Sequence, residues 1–307
     1  LAARVAERES QIVLGLDPDP RALWPGREHG DSGRAREDVA EELTATQAVA
    51  AAVLAHCRAL IDAAAGACVA IKPQLARFEL LGAPGWAALE AVIAHAHSLG
   101  LLVIADGKRG DIDVTARAYA GAMGTGVDSE LGRVGGLAAD LVTVNPLMGR
   151  DAVQPFVDAA RENRTGVLML VRTSNPGAAD IEDLRVEGGG TVWERIAELV
   201  DELGAPGVGA AGLSDVGAVI GATAPGHIER ARELMPSATF LLPGVGAQGG
   251  RVEELAAAFA PGRAGGLVSA SRSIADAYRA HGGEPAAAAC AEAERLRESA
   301  WELVAVR

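Results

Sequence analysis

Two lysines and two aspartates carry the first chemical signal in this chain. Asp106, Lys108 and Asp111 follow one another directly behind the apolar run 101–105. A short, unbroken and partly β-branched run reads as a buried strand. A buried strand that ends in a carboxylate, an amine and a second carboxylate points to a site, because burying charge without a task is costly. Gly107 and Gly110 allow tight backbone turns there, and Ile112 and Thr115 follow. Of 28 basic residues, only Lys72 and Lys108 are lysine. In a chain so biased toward arginine, lysine should persist where a proton must be given up, which a guanidinium does not do readily. Flanked by Asp106 and Asp111, Lys108 is expected to stay an ammonium, hence a proton donor or cation clamp and not a Schiff-base nucleophile.

Such residues need a scaffold that brings distant segments to one face. Apolar runs recur at 11–16, 68–72, 101–106, 140–144, 166–171, 207–212, 239–242 and 265–270, the sixth weaker than the rest. Helical patterns alternate with them, at 38–65, 84–99, 113–120, 151–162, 191–203, 225–234 and 251–259, and a last helix is expected at 285–303. Over 307 residues this predicts an α/β fold, one (β/α)8 TIM barrel domain spanning 1–307 with a C-terminal helical extension. A doubly wound open sheet is the alternative; no GxGxxG or GxxxxGK[ST] follows the first strand to support a nucleotide fold. Residues 18–37, rich in proline, glycine and charge, are expected to form a mobile loop. In a barrel, the polar residues just past the strands share the C-terminal face: Asp17, Lys72, Asp106, Asn145, Arg172, Pro243 and Arg272.

Composition narrows the partners. A net charge of −13 argues against nucleic acid, which needs a basic face. Cys57, Cys68 and Cys290 are scattered, which fits a reducing cytoplasm and neither a disulfide framework nor structural zinc. The Ala-rich stretches are interrupted by charge or turn residues, so no membrane span or leader is expected. Only His227 lies near a strand end, and it falls within a predicted helix, so His-based catalysis and a His-ligated metal are not expected. The last two βα loops suit a phosphate. Gly244, Gly246, Gly249 and Gly250 let backbone amides approach an anion, Gln248 adds donors, and Ser271-Arg272 opens a helix. Two carboxylates and two lysines beside a phosphate site fit proton-transfer or decarboxylation chemistry.

The stretch Asp106-x-Lys108-x-x-Asp111-Ile112-x-x-Thr115 resembles the signature of the orotidine 5'-phosphate decarboxylase family. Gly15-Leu16-Asp17-Pro18 is similar to that family's first-strand motif. Four further segments resemble its longer-chain branch: Ile71-Lys72-Pro73-Gln74, Thr143-Val144-Asn145-Pro146, Val171-Arg172-Thr173-Ser174-Asn175-Pro176 and Pro243-Gly244-Val245-Gly246-Ala247-Gln248. The resemblance runs from about residue 10 to 280.

It implies a homodimeric barrel, without metal or organic cofactor, that converts orotidine 5'-monophosphate to uridine 5'-monophosphate and carbon dioxide. By position it makes Lys108 the acid that protonates C6, with Asp106 facing the substrate carboxylate. Asp111, Ile112 and Thr115 would reach into the neighbouring subunit's site. Asp17 and Lys72 would hold the ribose hydroxyls, Lys72 also completing the charged row. Ser174, with Thr173 beside it, would bind the pyrimidine amide from a closing loop. Gln248 and Arg272 would grip the phosphate, Asn145 would face the base, and Pro243 belongs to the substrate-binding positions. Two rivals share parts of this pattern: a magnesium-dependent sugar-phosphate decarboxylase or synthase of the same superfamily, and a silent phosphate-binding barrel. Ile112, Thr115 and the Thr173-Ser174 loop favour the pyrimidine substrate.

Overall fold

A computed structural model describes residues 1–26, 43–246 and 248–305. Eight parallel strands close into a barrel: β1 (Ile12–Leu16), β2 (Ala70–Pro73), β3 (Leu102–Arg109), β4 (Leu141–Val144), β5 (Gly166–Arg172), β6 (Val216–Ile220), β7 (Phe240–Pro243) and β8 (Gly266–Ala270). Each pairs with the next in sequence, and β8 closes onto β1.

The core explains how the barrel presents polar groups. Ile12, Leu14 and Leu16 of β1 pack outward against the helices, whereas Val13 joins a separate inner cluster. The same alternation puts Ala70, Ile104, Leu141, Leu168, Leu241 and Leu267 inside, one from each of six further strands. Val5, from helix Ala2–Arg8, is buried with them. Two residues further along each strand, the side chain points inward again. On five strands those positions hold Lys72, Asp106, Thr143, Pro243 and Ser269, while β1 has Gly15 and β5 has Leu170 there. An apolar layer therefore fills one end of the barrel, and a polar layer lies on top of it.

The sixth strand lies at Val216–Ile220, not at 207–212. The segment 207–212 (GVGAAG) offers few side chains to bury, and β6 (VGAVI) is buried throughout. The predicted helix at 251–259 is two short 3-10 turns, Val252–Glu254 and Ala256–Phe259. The Gly-rich stretch after helix Asp113–Met123 contains an antiparallel hairpin, Val127–Ser129 with Gly132–Val134. Helix Ala45–Ala64 starts behind a capping box made by Thr44 and Gln47. Residues 38–42 of its predicted span, and 27–37 of the expected mobile loop, lie outside the described residues; 18–26 form turns and irregular chain.

Helix Ala45–Ala64 is, among the described helices, the one long and apolar enough to cross a membrane by length and composition. Arg58 and Asp62 interrupt it, as expected of the Ala-rich stretches, yet two charges do not exclude a span by composition. Its alanines raise the hydropathy, and Val53, Leu60 and Ile61 are buried against the barrel. Helix Pro285–Ala305 packs beside it through Ala289, Ala293, Leu296 and Ala300, in the position of a helix after β8.

Beneath β7 and β8, the buried Arg232 guanidinium donates to the carbonyls of Met235, Pro236, Ala238, Ala258 and Gly265. It stacks 3.8 Å from the Phe240 ring centroid, and burial pushes it down to about 10.

Candidate active site

The polar layer gathers around one carboxylate. Asp106, 4% exposed, has its lone pairs filled from three strands. Its Oδ2 accepts from Lys72 Nζ at 2.6 Å, from β2, and from Gln74 Nε2 at 3.3 Å. Its Oδ1 accepts from Lys108 Nζ at 2.6 Å and from Thr143 Oγ1, on β4, at 3.0 Å. Burial alone would raise this carboxyl; the Lys72 and Lys108 ammonium groups outweigh it and hold it at about 2. The result is an ionised row, Lys72–Asp106–Lys108, with Lys72 buried and Lys108 open to the cleft.

The backbone of β3 makes this row. Ala105 pairs with Val142 and Arg109 with Val144, so the register shifts between them. The residues in that bulge, Asp106 to Lys108, stand opposite Thr143 alone. The turn expected at Gly107 and Gly110 falls on Lys108 instead, at φ +47°. The glycines serve close approach: a Cβ on Gly107 would meet Leu75 at 2.8 Å, and one on Gly110 would meet the Asn145 carbonyl at 2.8 Å. Arg109 anchors the far side by pairing with Glu79.

A cleft of about 220 Å³ opens over the row. Of the predicted site residues, Asp17, Lys72, Asp106, Lys108, Pro243, Gln248 and Arg272 line it. A larger cavity of about 480 Å³ adjoins it and shares Asp17, Gln74, Ser271 and Arg272. Ser174 does not line the cleft itself; its hydroxyl donates to Gln248 Oε1 at 2.8 Å. The loop bearing it is held from behind. Arg172 pairs with Glu182 and Asp183, and Glu182 also accepts from the Thr173 amide (2.9 Å) and hydroxyl (2.8 Å). Thr173 thus holds the loop and does not face the cleft. Asn145 also stands outside it, its Oδ1 accepting from the Leu147 amide at 3.0 Å to close a turn.

Asp111, Ile112 and Thr115 are absent from this cleft as well. Asp111 accepts from the Ile112 amide at 2.8 Å, Ile112 is 53% exposed, and Thr115 lies on an exposed helix face. Of the four glycines expected to offer amides to an anion, Gly244 alone lines the cleft. The amides of Gly246, Gly249 and Gly250 are bonded within the loop itself, to Gly250, Gly246 and Gly244 carbonyls. Gln248 and Arg272 supply side-chain donors at that end of the cleft, the latter opening the one-turn helix Arg272–Ala275.

Two polar residues were not singled out from sequence. Thr143 could have been found as the one hydroxyl in a four-residue buried strand, LVTV. Gln74 was visible only as the last residue of the Ile71-Lys72-Pro73-Gln74 segment. Among the described residues, no three His, Cys, Asp or Glu side chains converge as a metal set.

Residues 10–288 match the orotidine 5'-phosphate decarboxylase / HUMPS family. The orotidine 5'-phosphate decarboxylase of Rhodopirellula baltica is 40% identical over 283 residues, covering 91% of this chain and 88% of its own. That of Deinococcus radiodurans is 42% identical over 273 residues, covering 88% and 86%. The solved structure of Leishmania donovani OMP decarboxylase matches with a TM-score of 0.68 at 32% identity, over 97% of this chain and 98% of that one.

Proposed function

The chain belongs to the orotidine 5'-phosphate decarboxylase / HUMPS family, and from that premise we propose that its Lys72–Asp106–Lys108 row carries out the decarboxylation of orotidine 5'-monophosphate. The enzyme is a carboxy-lyase of pyrimidine biosynthesis that yields uridine 5'-monophosphate and carbon dioxide. The observation that carries the mechanism is the lysine at the open end of an otherwise buried ion row, beside Gln248 and Arg272.

In this reading Arg272 and Gln248 hold the phosphate, and Asp17 and Lys72 hold the ribose hydroxyls. The pyrimidine carboxylate then lies against Asp106, whose like charge is relieved as carbon dioxide departs. The bond from C6 to the carboxylate breaks, and its electron pair stays on C6. The ring has no electron sink for that pair, so the fixed Lys108 ammonium stabilises it where it forms. Lys108 then gives C6 a proton, becomes a neutral amine and is reprotonated by solvent. Ser174, bonded to Gln248, links phosphate binding to closure over the base. Thr173 and Asn145 act by shaping their loops.

The active unit is a homodimer in which Asp111, Ile112 and Thr115 complete the partner's site. Their position outside their own cleft supports this, as do the exposed apolar residues Ile112, Val114, Leu147 and Met148 around them. The chemistry uses no metal or organic cofactor, and the enzyme works as one barrel domain in the cytoplasm, apart from membranes and nucleic acid.

The test is the ultraviolet absorbance of orotidine 5'-monophosphate mixed with protein and excess chelator. The expected result is decay to the uridine 5'-monophosphate spectrum, with Lys108→Ala slower by ~10³-fold or more. A chelator-sensitive reaction would move the assignment to the magnesium-dependent sugar-phosphate enzymes. An active Lys108→Ala enzyme would remove Lys108 as the acid.

A further inference from the structure

We propose that Thr143 is a positioning residue for the decarboxylation, a single hydroxyl that sets both the direction of the Asp106 carboxylate and the backbone from which Lys108 extends. The role presupposes the parts assigned above to Asp106 and Lys108. It follows from the bulge. Where β3 runs three residues against one of β4, the Lys108 N–H loses its place in the strand ladder. Thr143 Oγ1 accepts that N–H at 2.9 Å. The same oxygen donates its proton to Asp106 Oδ1 at 3.0 Å, the oxygen that also receives Lys108 Nζ. One atom thus closes a ring running from the Lys108 amide through the carboxylate to the Lys108 ammonium.

Three features make the hydroxyl hard to replace. Thr143 is 1% exposed, so water has little room to take over its bonds. Lys108 is a non-glycine residue in the left-handed region, a conformation that persists only where its surroundings hold it. The Thr143 side chain is β-branched, stiff at χ1, and stands directly above Leu141 on the inner face of β4. Proton transfer to a ring carbon is sensitive to placement: an error of about 1 Å can cost ~10²-fold in rate. Phosphate and ribose contacts come from other strands, so the hydroxyl should matter for turnover and little for binding.

The experiment compares Thr143→Val, which keeps the shape and removes the hydroxyl, with Thr143→Ser, which keeps the hydroxyl. Steady-state kinetics with orotidine 5'-monophosphate and the Kd for uridine 5'-monophosphate are measured for both. For Thr143→Val, kcat should fall ~10²-fold with KM and Kd within about 3-fold of wild type. Thr143→Ser should recover kcat to within about 5-fold of wild type. Should Thr143→Val not fold, Thr143→Ala also lacks the hydroxyl and carries the same expectation, with its thermal midpoint measured alongside. A hydroxyl-free variant with near-wild-type kcat overturns the proposal. So does a Ser variant as impaired as Val, which would make the threonine a packing residue only. Lys108→Ala, run in parallel, separates the two readings: if it is inactive while Thr143→Val is not, only the role of Thr143 falls.

Discussion

Replacing Asp106 by asparagine removes the one anion between two cations and leaves the shape almost unchanged. All four hydrogen bonds to this side chain come from donors: Lys72 Nζ, Gln74 Nε2, Lys108 Nζ and Thr143 Oγ1. An amide can accept with its oxygen, but its NH2 must then face one pair of those donors. Lys72, 6% exposed, would keep its charge without a counter-ion, a situation that costs about 3–5 kcal/mol. Part of that loss depends on pH. The folded-state Asp106 carboxyl lies at about 2, below its ordinary 3.8. The stability it contributes is therefore complete above 3.8 and disappears as pH falls through about 2. That drop is worth about 2 kcal/mol, at about 1.36 kcal/mol for each tenfold change in proton affinity. Urea unfolding of wild type and Asp106→Asn, at a series of pH values from 7 to ~2.5, reads the gap directly, because other carboxylates cancel in the difference. The gap should be several kcal/mol at neutral pH and begin to close below about pH 4. A gap below about 1 kcal/mol at pH 7, or one that stays constant into acid, would refute the electrostatic account of the row.

Other perturbations test separate parts of the structure. Equal mixing and reassembly of Lys108→Ala with Asp111→Ala should restore about a quarter of wild-type turnover, since half the dimers then hold one intact site; no recovery would mean that the sites are not shared. Lys108→Gly should be more stable than Lys108→Ala by about 1 kcal/mol in thermal or urea unfolding, because glycine relieves the left-handed backbone at +47°; the reverse order would show that this conformation is unstrained. Arg232→Leu leaves four buried carbonyls and the part-buried one of Pro236 short of a donor and should lose about 3 kcal/mol in urea unfolding with kcat unchanged at 25 °C; a lowered kcat in fully folded protein would tie this clamp to the site.

How far the sequence discloses this site depends on what kind of interaction places each residue. Lys72, Asp106 and Lys108 were legible because each interrupts or ends an apolar run, and charge at a buried strand end is rare. The barrel followed from counting such runs, even though one was placed at 207–212, where small residues imitate a buried strand, and not at Val216–Ile220. Asn145 and Thr173 also sit at strand ends, yet their side chains are used within their own loops, and composition does not distinguish a loop-forming asparagine from a ligand-facing one. The glycines after β7 suggested free amides. Whether an amide is free depends on its partner several residues away, and here the loop uses its own. Thr143 was visible as the one hydroxyl in a buried strand, but its partners stayed hidden, because a register shift between two strands has no local signature in either of them.

That register shift also resolves a conflict built into the chemistry. A left-handed backbone conformation is most cheaply supplied by glycine, and two glycines flank Lys108. Yet the residue that adopts it must also carry the ammonium, so the conformation falls on the lysine, at about 1–2 kcal/mol. The hydrogen bond from its amide to Thr143 and the ion pair from its Nζ to Asp106 offset that cost. The two bonds end on Thr143 and Asp106, which are themselves hydrogen-bonded, so the strain is held within the ion row and not spread through the barrel. A regular β3 would continue its ladder with β4, with alternate side chains facing the helices. The bulge instead sets Asp106 to Lys108 opposite Thr143 alone, freeing the Lys108 amide for the Thr143 hydroxyl and leaving the lysine side chain, paired with Asp106, facing the cleft.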